Sequence, residues 1–233
     1  MDREKDKTSP DCASCDISQE KKICMTKDGI PFKGCPTLTR REELEKANKE
    51  YDVPEIQELS HQASVQEAAC YQNRHQRPYI MQPGIPRVLE ICQFAKKMKY
   101  KKIGIAFCVG LSREARTFEE ILKQRGFDVV SILCKAGRTS KDIIRISDED
   151  KIMQGTDESM CNPIFQAQLL NYEKTDLNVL IGLCVGHDSL FFKYAEAPTT
   201  VLAVKDRVTG HNPLAAIYLA DSYYQKVRHP ELG

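Results

Sequence analysis

The chain has 233 residues, with 34 basic side chains against 33 acidic ones and a formal net charge of +1, so no electrostatic footprint for nucleic acid stands out and the length suits one sizeable α/β core with an appendage. No uninterrupted apolar run approaches the roughly 20 residues needed to span a bilayer, and MDREKDKTSP at the start lacks an apolar signal core, so a soluble cytoplasmic protein is expected. Ten cysteines are many for a cytoplasmic chain, and metal-binding or catalytic thiols explain them better than a secreted disulfide scaffold.

Residues 1–38 are polar and turn-rich, and they hold too few large apolar side chains to build a core of their own. They contain Cys12-Ala-Ser-Cys15, Cys24 and Cys35-Pro36, the pattern C-x2-C-x8-C-x10-C-P. The C-x2-C spacing lets two thiolates of one tight turn bind one metal, and the later pair closes a site that either zinc or a [4Fe–4S] cluster accepts. A helical segment follows over 39–100. Thr39 and Glu42 read as a capping box, Pro54 opens a second run to about Arg74, and Ile85 to Met98 sets Val88, Ile91, Cys92, Ala95 and Met98 on one face. Cys92 reads as core, and Cys70 as a candidate to reach a cluster. His61, His75 and His229 have no visible partners.

From residue 101 to 233 the text changes to apolar runs separated by amphipathic segments. Strand 103–108, helix 112–125 ended by Gly126, strand 128–134, a long loop 136–160 and a helix from about Asn162 form one round. Strand 178–184, helix 188–196, strand 199–205 and helix 212–226 form a second. Strands alternating with helices imply a parallel sheet covered on both faces. The rounds match in detail: Cys108-Val109-Gly110 corresponds to Cys184-Val185-Gly186, Cys134-Lys135 to Lys205-Asp206, and Cys161-Asn162-Pro163 to His211-Asn212-Pro213. The expectation is an α/β, Rossmann-like core of two diverged β-α-β-α repeats, preceded by the helical segment and the small four-cysteine module.

Ligands of open parallel sheets collect beyond the carboxyl ends of the strands, where helix N-termini point inward. Cys108, Cys134 and Cys184 are expected at three such ends. Cys161 and His211 each precede an Asn-Pro that reads as N-cap and first helical residue. Helix dipoles favour thiolate there, and glycines after Cys108 and Cys184 admit close approach of an inorganic core. These five residues are the candidate cofactor ligands, with an iron–sulfur cluster favoured over a bare divalent ion. His187 and Lys205 are candidates for proton transfer and anion binding in the same crevice. No G-x-G-x-x-G, P-loop or G-x-S-x-G is present, which argues against nucleotide binding and serine-hydrolase chemistry.

At IAFCVGLSREA, MCNPIFQAQLLNYEKTDLNVLIGLCVGHDSLFFKYAEAP and VKDRVTGHNPLAAIY the chain resembles an uncharacterised cysteine-rich family, labelled metal-binding and of unknown function, found largely in anaerobic bacteria and archaea. The resemblance implies metal binding in an oxygen-poor cytoplasm and no established reaction. The leading expectation is an iron–sulfur protein with a [4Fe–4S] cluster on Cys12, Cys15, Cys24 and Cys35 and another near Cys108, Cys134, Cys161 and Cys184. Its partners would be a redox protein or a small-molecule substrate, with no nucleic acid and no membrane. Two alternatives stand beside it: a zinc-stapled structural or sensing module, and a cysteine-based sulfur-transfer enzyme.

Overall fold

A computed structural model of the chain describes residues 9–232. It divides between Val65 and Gln66 into two compact units, the boundary falling inside a helix.

The first unit holds single-turn 3-10 helices at Cys12–Ser14 and Gln19–Lys21, an isolated bridge between Lys22 and Ile30, and helices α1 (Pro36–Thr39) and α2 (Arg41–Glu50), then most of α3 (Pro54–Ala69). Not one described residue from 9 to 65 is buried. The segment REELEKANKE is helical because it is made of strong helix formers, while its side chains stay in solvent. The expected capping box does not form. Thr39 closes α1 and turns its hydroxyl back onto the carbonyls of Gly34 and Cys35, so Arg40 occupies the N-cap of α2 with no side-chain cap bond.

In the second unit, α3 ends at Ala69 rather than near Arg74. The chain there meets its own return in an isolated bridge between Tyr71 and Pro83, Gln72 N–H donating to Gln82 O and Gly84 N–H to Cys70 O. Helix α4 (Arg87–Lys97) buries Ile91, Cys92 and Ala95, as the periodicity predicts. Four strands then form one all-parallel sheet in the order β2-β1-β3-β4: β1 (Lys102–Phe107), β2 (Asp128–Leu133), β3 (Leu177–Ile181) and β4 (Thr199–Ala203). The connecting helices are α5 (Ser112–Gln124), α6 (Pro163–Tyr172) and α7 (His187–Tyr194). The α/β class and the parallel sheet are therefore as read from the sequence.

Alternation along β1 and β3 sorts the core into two layers. Ile103, Ile105, Leu177, Val179 and Ile181 pack with α4 and with Ala115, Phe118 and Leu122 of α5. Ala106 and Leu180 pack with Ala167 and Leu170 of α6 and Phe191 of α7, and Cys108 and Cys134 belong to this second layer. Gly104 opposes fully buried Asn178 across the β1/β3 pair. A Cβ at Gly104 would collide with Asn178 Oδ1 and come within 2.8 Å of Leu170 Cδ1, so glycine is what lets the polar side chain lie inside. Asn178 Oδ1 there accepts from the Thr175 hydroxyl at 2.8 Å.

Three boundaries differ from expectation, each for a local reason. β3 stops at Ile181 because Gly182 takes a φ of 68°, so Cys184 lies in the turn beyond the strand rather than at its end. β4 stops at Ala203, leaving Lys205 in the following turn. The last helix is only α8 (Leu214–Tyr218) rather than 212–226. Asp206 caps its own turn by accepting from Val208 and Thr209 N–H, and His211 sits at a φ of 67°, so Asn212 is not the N-cap that Asn162 is. Among the described residues, no helix is long and apolar enough to cross a membrane.

Candidate functional site

The chain leaves β1 toward β2 on one side of the sheet and β3 toward β4 on the other, so the carboxyl ends of β1 and β3 form the switch point at which open parallel sheets bind ligands. Cys108 follows β1 directly, its N–H bonded to Ile181 O of β3, and Cys134 follows β2, its N–H bonded to Phe107 O. Cys161 arrives on the segment leading into α6. Asn162 caps that helix by accepting from Phe165 N–H at 3.0 Å, and its own N–H donates to Cys134 O. Gln166, almost wholly buried, secures the arrangement: its Nε2 donates to Ile132 O at 2.8 Å and Phe107 O at 3.2 Å, fastening α6 to both strand ends.

The result is a cluster of three thiols centred on Cys134. The Cys134 and Cys161 sulfurs are 3.6 Å apart, Val109 N–H points at Cys134 Sγ at 3.4 Å, and Cys108 lies close enough to Cys134 for each to act on the other's proton. Cys108 and Cys134 are buried and Cys161 is half-buried. All three are free thiols, as are the other seven cysteines.

Two cationic side chains close on the cluster. His187, the first residue of α7, stands close enough to Cys161 to act on its proton, and Lys205 close enough to Cys108. That lysine lies alongside Gly110 and Gly182 at ordinary contact distances, whereas a Cβ at Gly182, whose φ is 68°, would collide with the Leu111 side chain. The Cys161 thiol is held well below its usual range, first by Cys134, then by His187 and Lys135, against the opposing effect of burial. Cys108 is likewise held down, by Cys134 first and then by the Gly110 amide and Lys205. Cys134 moves up because its proton is the one its neighbours use and because it is buried. One S–H donates to one acceptor at a time, so the directions express a shared proton rather than three independent acids. His187 is held above its usual range by Cys161, burial opposing.

Cys184 stands slightly apart, accepting a hydrogen bond from Arg207 Nη2 at 3.2 Å. The guanidinium also lies within electrostatic reach of Cys108 and Cys161. Lys135 donates to the Ser159 carbonyl and acts on both Cys161 and His187. Of the residues singled out in the sequence, Cys108, Cys134, Cys161, His187 and Lys205 are thus brought together, with Cys184 joined through Arg207. His211 is not among them: its Nδ1 accepts from Asp206 N–H at 3.1 Å inside its own turn. Cys70 lies beside Gln66 Nε2 at 3.7 Å, in a network with Gln93 and Lys97. Arg207 and Lys135 are the functional candidates that the sequence reading passed over, although Lys135 directly follows Cys134 and Arg207 stands two residues beyond Lys205.

In the first unit, Cys12 and Cys24 are exposed and Cys15 and Cys35 are half-buried. Cys15 N–H bonds Cys12 O at 3.3 Å, the tight turn that the C-x2-C spacing calls for. Among the described residues, no group of three or more His, Cys, Asp or Glu side chains stands in the arrangement of a metal site, in either unit.

Comparison with known proteins gives a family without an activity. The model of the family described as "Protein of unknown function (DUF1847)" matches residues 35–202, a span that includes Cys108, Cys134, Cys161, Cys184 and His187. An uncharacterised protein of the archaeon Methanocaldococcus jannaschii is 40% identical over 215 residues, which cover 92% of this chain and 96% of that protein. No solved structure matches.

Proposed function

Because the chain belongs to the DUF1847 family of proteins of unknown function, its activity has to be argued from the site, and we propose that Cys108, Cys134, Cys161 and Cys184 hold an iron–sulfur centre serving redox chemistry, either electron transfer to a partner protein or conversion of a small molecule. The observation that carries this reading is the 3.6 Å between the Cys134 and Cys161 sulfurs. A tetrahedral site with metal–sulfur bonds of about 2.3 Å has edges of about 3.8 Å, so this pair suits two thiolates on one metal. Two-iron clusters and single-iron sites use cysteines in such pairs. In a four-iron cluster each cysteine takes its own iron, so the [4Fe–4S] form expected from the spacing of motifs would require this pair to spread.

The centre, when bound, supplies the electron. The chain's own residues bind and tune it. Cys134 gives up the shared proton, Lys205 offsets charge at Cys108, His187 holds a proton beside Cys161, and Arg207 donates to the Cys184 sulfur, a contact of the kind that sets cluster potentials. A second centre on Cys12, Cys15, Cys24 and Cys35, iron–sulfur or zinc, belongs to the same reading; the lack of any buried residue over 9–65 supports it, since such a segment gains its stability from something other than burial. We also read the core as two diverged β-α-β-α repeats, supported by the like pairing of β1 with β2 and of β3 with β4, and the protein as cytoplasmic.

One observation favours a different chemistry. A Cys161 thiol whose proton affinity is held down beside His187, with a second thiol at 3.6 Å, is also the equipment of sulfur transfer. Cys161–S⁻ would attack the outer sulfur of a persulfide R–S–S⁻, giving Cys161–S–S⁻ and releasing R–S⁻. Anaerobic purification followed by iron, zinc and acid-labile sulfide analysis separates the readings. The iron–sulfur proposal expects iron and sulfide in about equal amounts, a visible chromophore, and loss of that core share in a Cys134→Ser, Cys161→Ser double variant. Zinc without sulfide that the double variant releases would replace iron by zinc, and metal-free wild-type core sites carrying a persulfide on Cys161 would favour sulfur transfer.

A further inference from the structure

The segment between β2 and α6 carries a thiol at each end, Cys134 and Cys161, and backbone bonds bring those ends together. Residues 139–141 run beside 158–160: Lys141 N–H donates to Glu158 O at 3.0 Å, Met160 N–H to Thr139 O at 2.8 Å, and Ser140 and Ser159 form an antiparallel bridge. At the foot of this stem Asn162 N–H donates to Cys134 O at 2.8 Å, and Gln166 fastens α6 to β2 through Ile132 O. The 3.6 Å between the two sulfurs is therefore set by the chain's own bonds.

The simplest account is that the two sulfurs are neighbours in a packed core, and that account treats both alike. Their surroundings differ. Cys161 is half-buried, whereas Cys134 is 2% exposed, so a small molecule in solvent meets Cys161 and leaves Cys134 to react with Cys161. A dithiol that is oxidised in two steps needs that order of access. Backbones held side by side also suit a bridge, and closing it from 3.6 Å asks the sulfurs to approach by about 1.6 Å.

We propose that Cys134 and Cys161 are a modification site, forming a reversible disulfide by exchange with a small-molecule disulfide, and that this bond and a metal on the core cysteines exclude one another. The disulfide is independent of the metal reading. The exclusion rests on it, because the bond occupies two of the four proposed ligands. In the first step the Cys161 sulfur attacks one sulfur of R–S–S–R, giving Cys161–S–S–R and R–S⁻, which takes up the Cys161 proton. In the second the Cys134 sulfur attacks Cys161 Sγ, and the other R–S⁻ leaves and takes up the Cys134 proton. The protein loses two electrons and two protons, and one R–S–S–R becomes two R–SH. Cys108 is buried as Cys134 is, so it does not replace Cys161 in the first step.

The test adds oxidised glutathione, without oxygen, to the full chain as purified and to the same chain stripped of metal by a chelator. Alkylation in denaturant and peptide mapping without reduction follow. Metal is measured on the same samples, the core share being the difference from the Cys134→Ser, Cys161→Ser double variant. We expect stripped wild type to yield Cys134 joined to Cys161, reversed by dithiothreitol, and joined protein to have lost its core metal. Cys134→Ser should stop at glutathione on Cys161, and Cys161→Ser should leave Cys134 free. Stripped wild type with no bond between Cys134 and Cys161, or with Cys134 joined instead to Cys108, overturns the site and leaves the metal reading standing. That mapping depends on no variant folding. Joined protein that keeps its core metal overturns the exclusion. Joined protein whose purified form held no core metal overturns the metal reading and leaves the disulfide standing.

Discussion

Of the three clustered thiols, Cys161 is the one that can be addressed from solution, since it is half-buried while Cys108 and Cys134 are buried. In metal-free protein Cys134, His187 and Lys135 hold its proton affinity below the ordinary thiol range near 8.5. A group held down is already thiolate below neutrality, so Cys161 should react with iodoacetamide at pH 6.5 while Cys92, pushed up by burial, stays unmodified. In His187→Ala the reaction at Cys161 should slow at pH 6.5 and recover toward pH 9; peptide mass spectrometry gives both, and a rate unaffected by His187→Ala would remove the pairing. The cysteines of this cluster were legible because each stands where an apolar run or an Asn-Pro signal ends. Arg207 and Lys135 were not, because a basic residue in a turn is ordinary until the fold brings it against a thiol. His211 shows the opposite error. Its Asn-Pro matched the motif at Cys161, but Asp206 closes a tight turn that keeps the ring at home.

Among the elements, β1, α5, β2 and α6 could be read nearly to the residue because their apolar periodicity is uninterrupted and Asn162 and Gly126 punctuate it. The final helix was overread because the large apolar side chains of 214–227 stay mostly in solvent: Leu214, Ile217, Tyr218 and Tyr223 are all exposed, and only Ala220 is buried. Packing at the β1/β3 pair makes a stricter demand. Gly104→Ala should destabilise the protein by about 1–3 kcal/mol, the usual cost of forcing a methyl into a filled core, measured by denaturant unfolding. A change within a few tenths of a kcal/mol would show that Asn178 and Leu170 can move aside. The loop between β2 and α6 has its own anchor in the ion pair of Lys141 and Glu158 at 2.9 Å, with side chains only 14% and 6% exposed. Lys141, then the Met153 amide, holds the Glu158 carboxyl below its ordinary value. A carboxyl lowered by folding contributes stability above its unfolded value, near 4.3, and loses it as the pH falls through the lower folded value. Hydrogen exchange over 139–160 should therefore be slow at pH 7, after correction for intrinsic rates, and accelerate only below about pH 4. Glu158→Gln should show the fast pattern already at pH 7, and equal protection in both proteins would dismiss the anchor.

Across the whole molecule the two units are stabilised by different means. Residues 66–232 have a two-layered core, with Ile103, Ile105, Leu122, Leu170, Val179 and Phe191 fully enclosed. Burial of side chains of this size contributes about 1.5–3 kcal/mol each, so this unit folds as a sheet protein whether or not its thiols bind metal. Residues 9–65 bury nothing. Helices α1 and α2 are shorter than the roughly 12–15 residues at which even favourable isolated helices become marginal in water, so propensity alone does not hold them. If Cys12, Cys15, Cys24 and Cys35 hold a metal, its binding energy is the folding energy of this unit, and its removal should act there first. Limited proteolysis of anaerobic protein, before and after treatment with a strong chelator under reducing conditions, is the direct measurement. Chelation should open cleavage sites within 9–65 while the fragment containing residues 102–203 survives at its earlier rate. A Cys12→Ser, Cys15→Ser double variant should show the cleaved pattern without chelator. Cleavage that is equally fast in untreated and treated protein would mean that no metal organises the first unit, and its cysteines would then need another explanation.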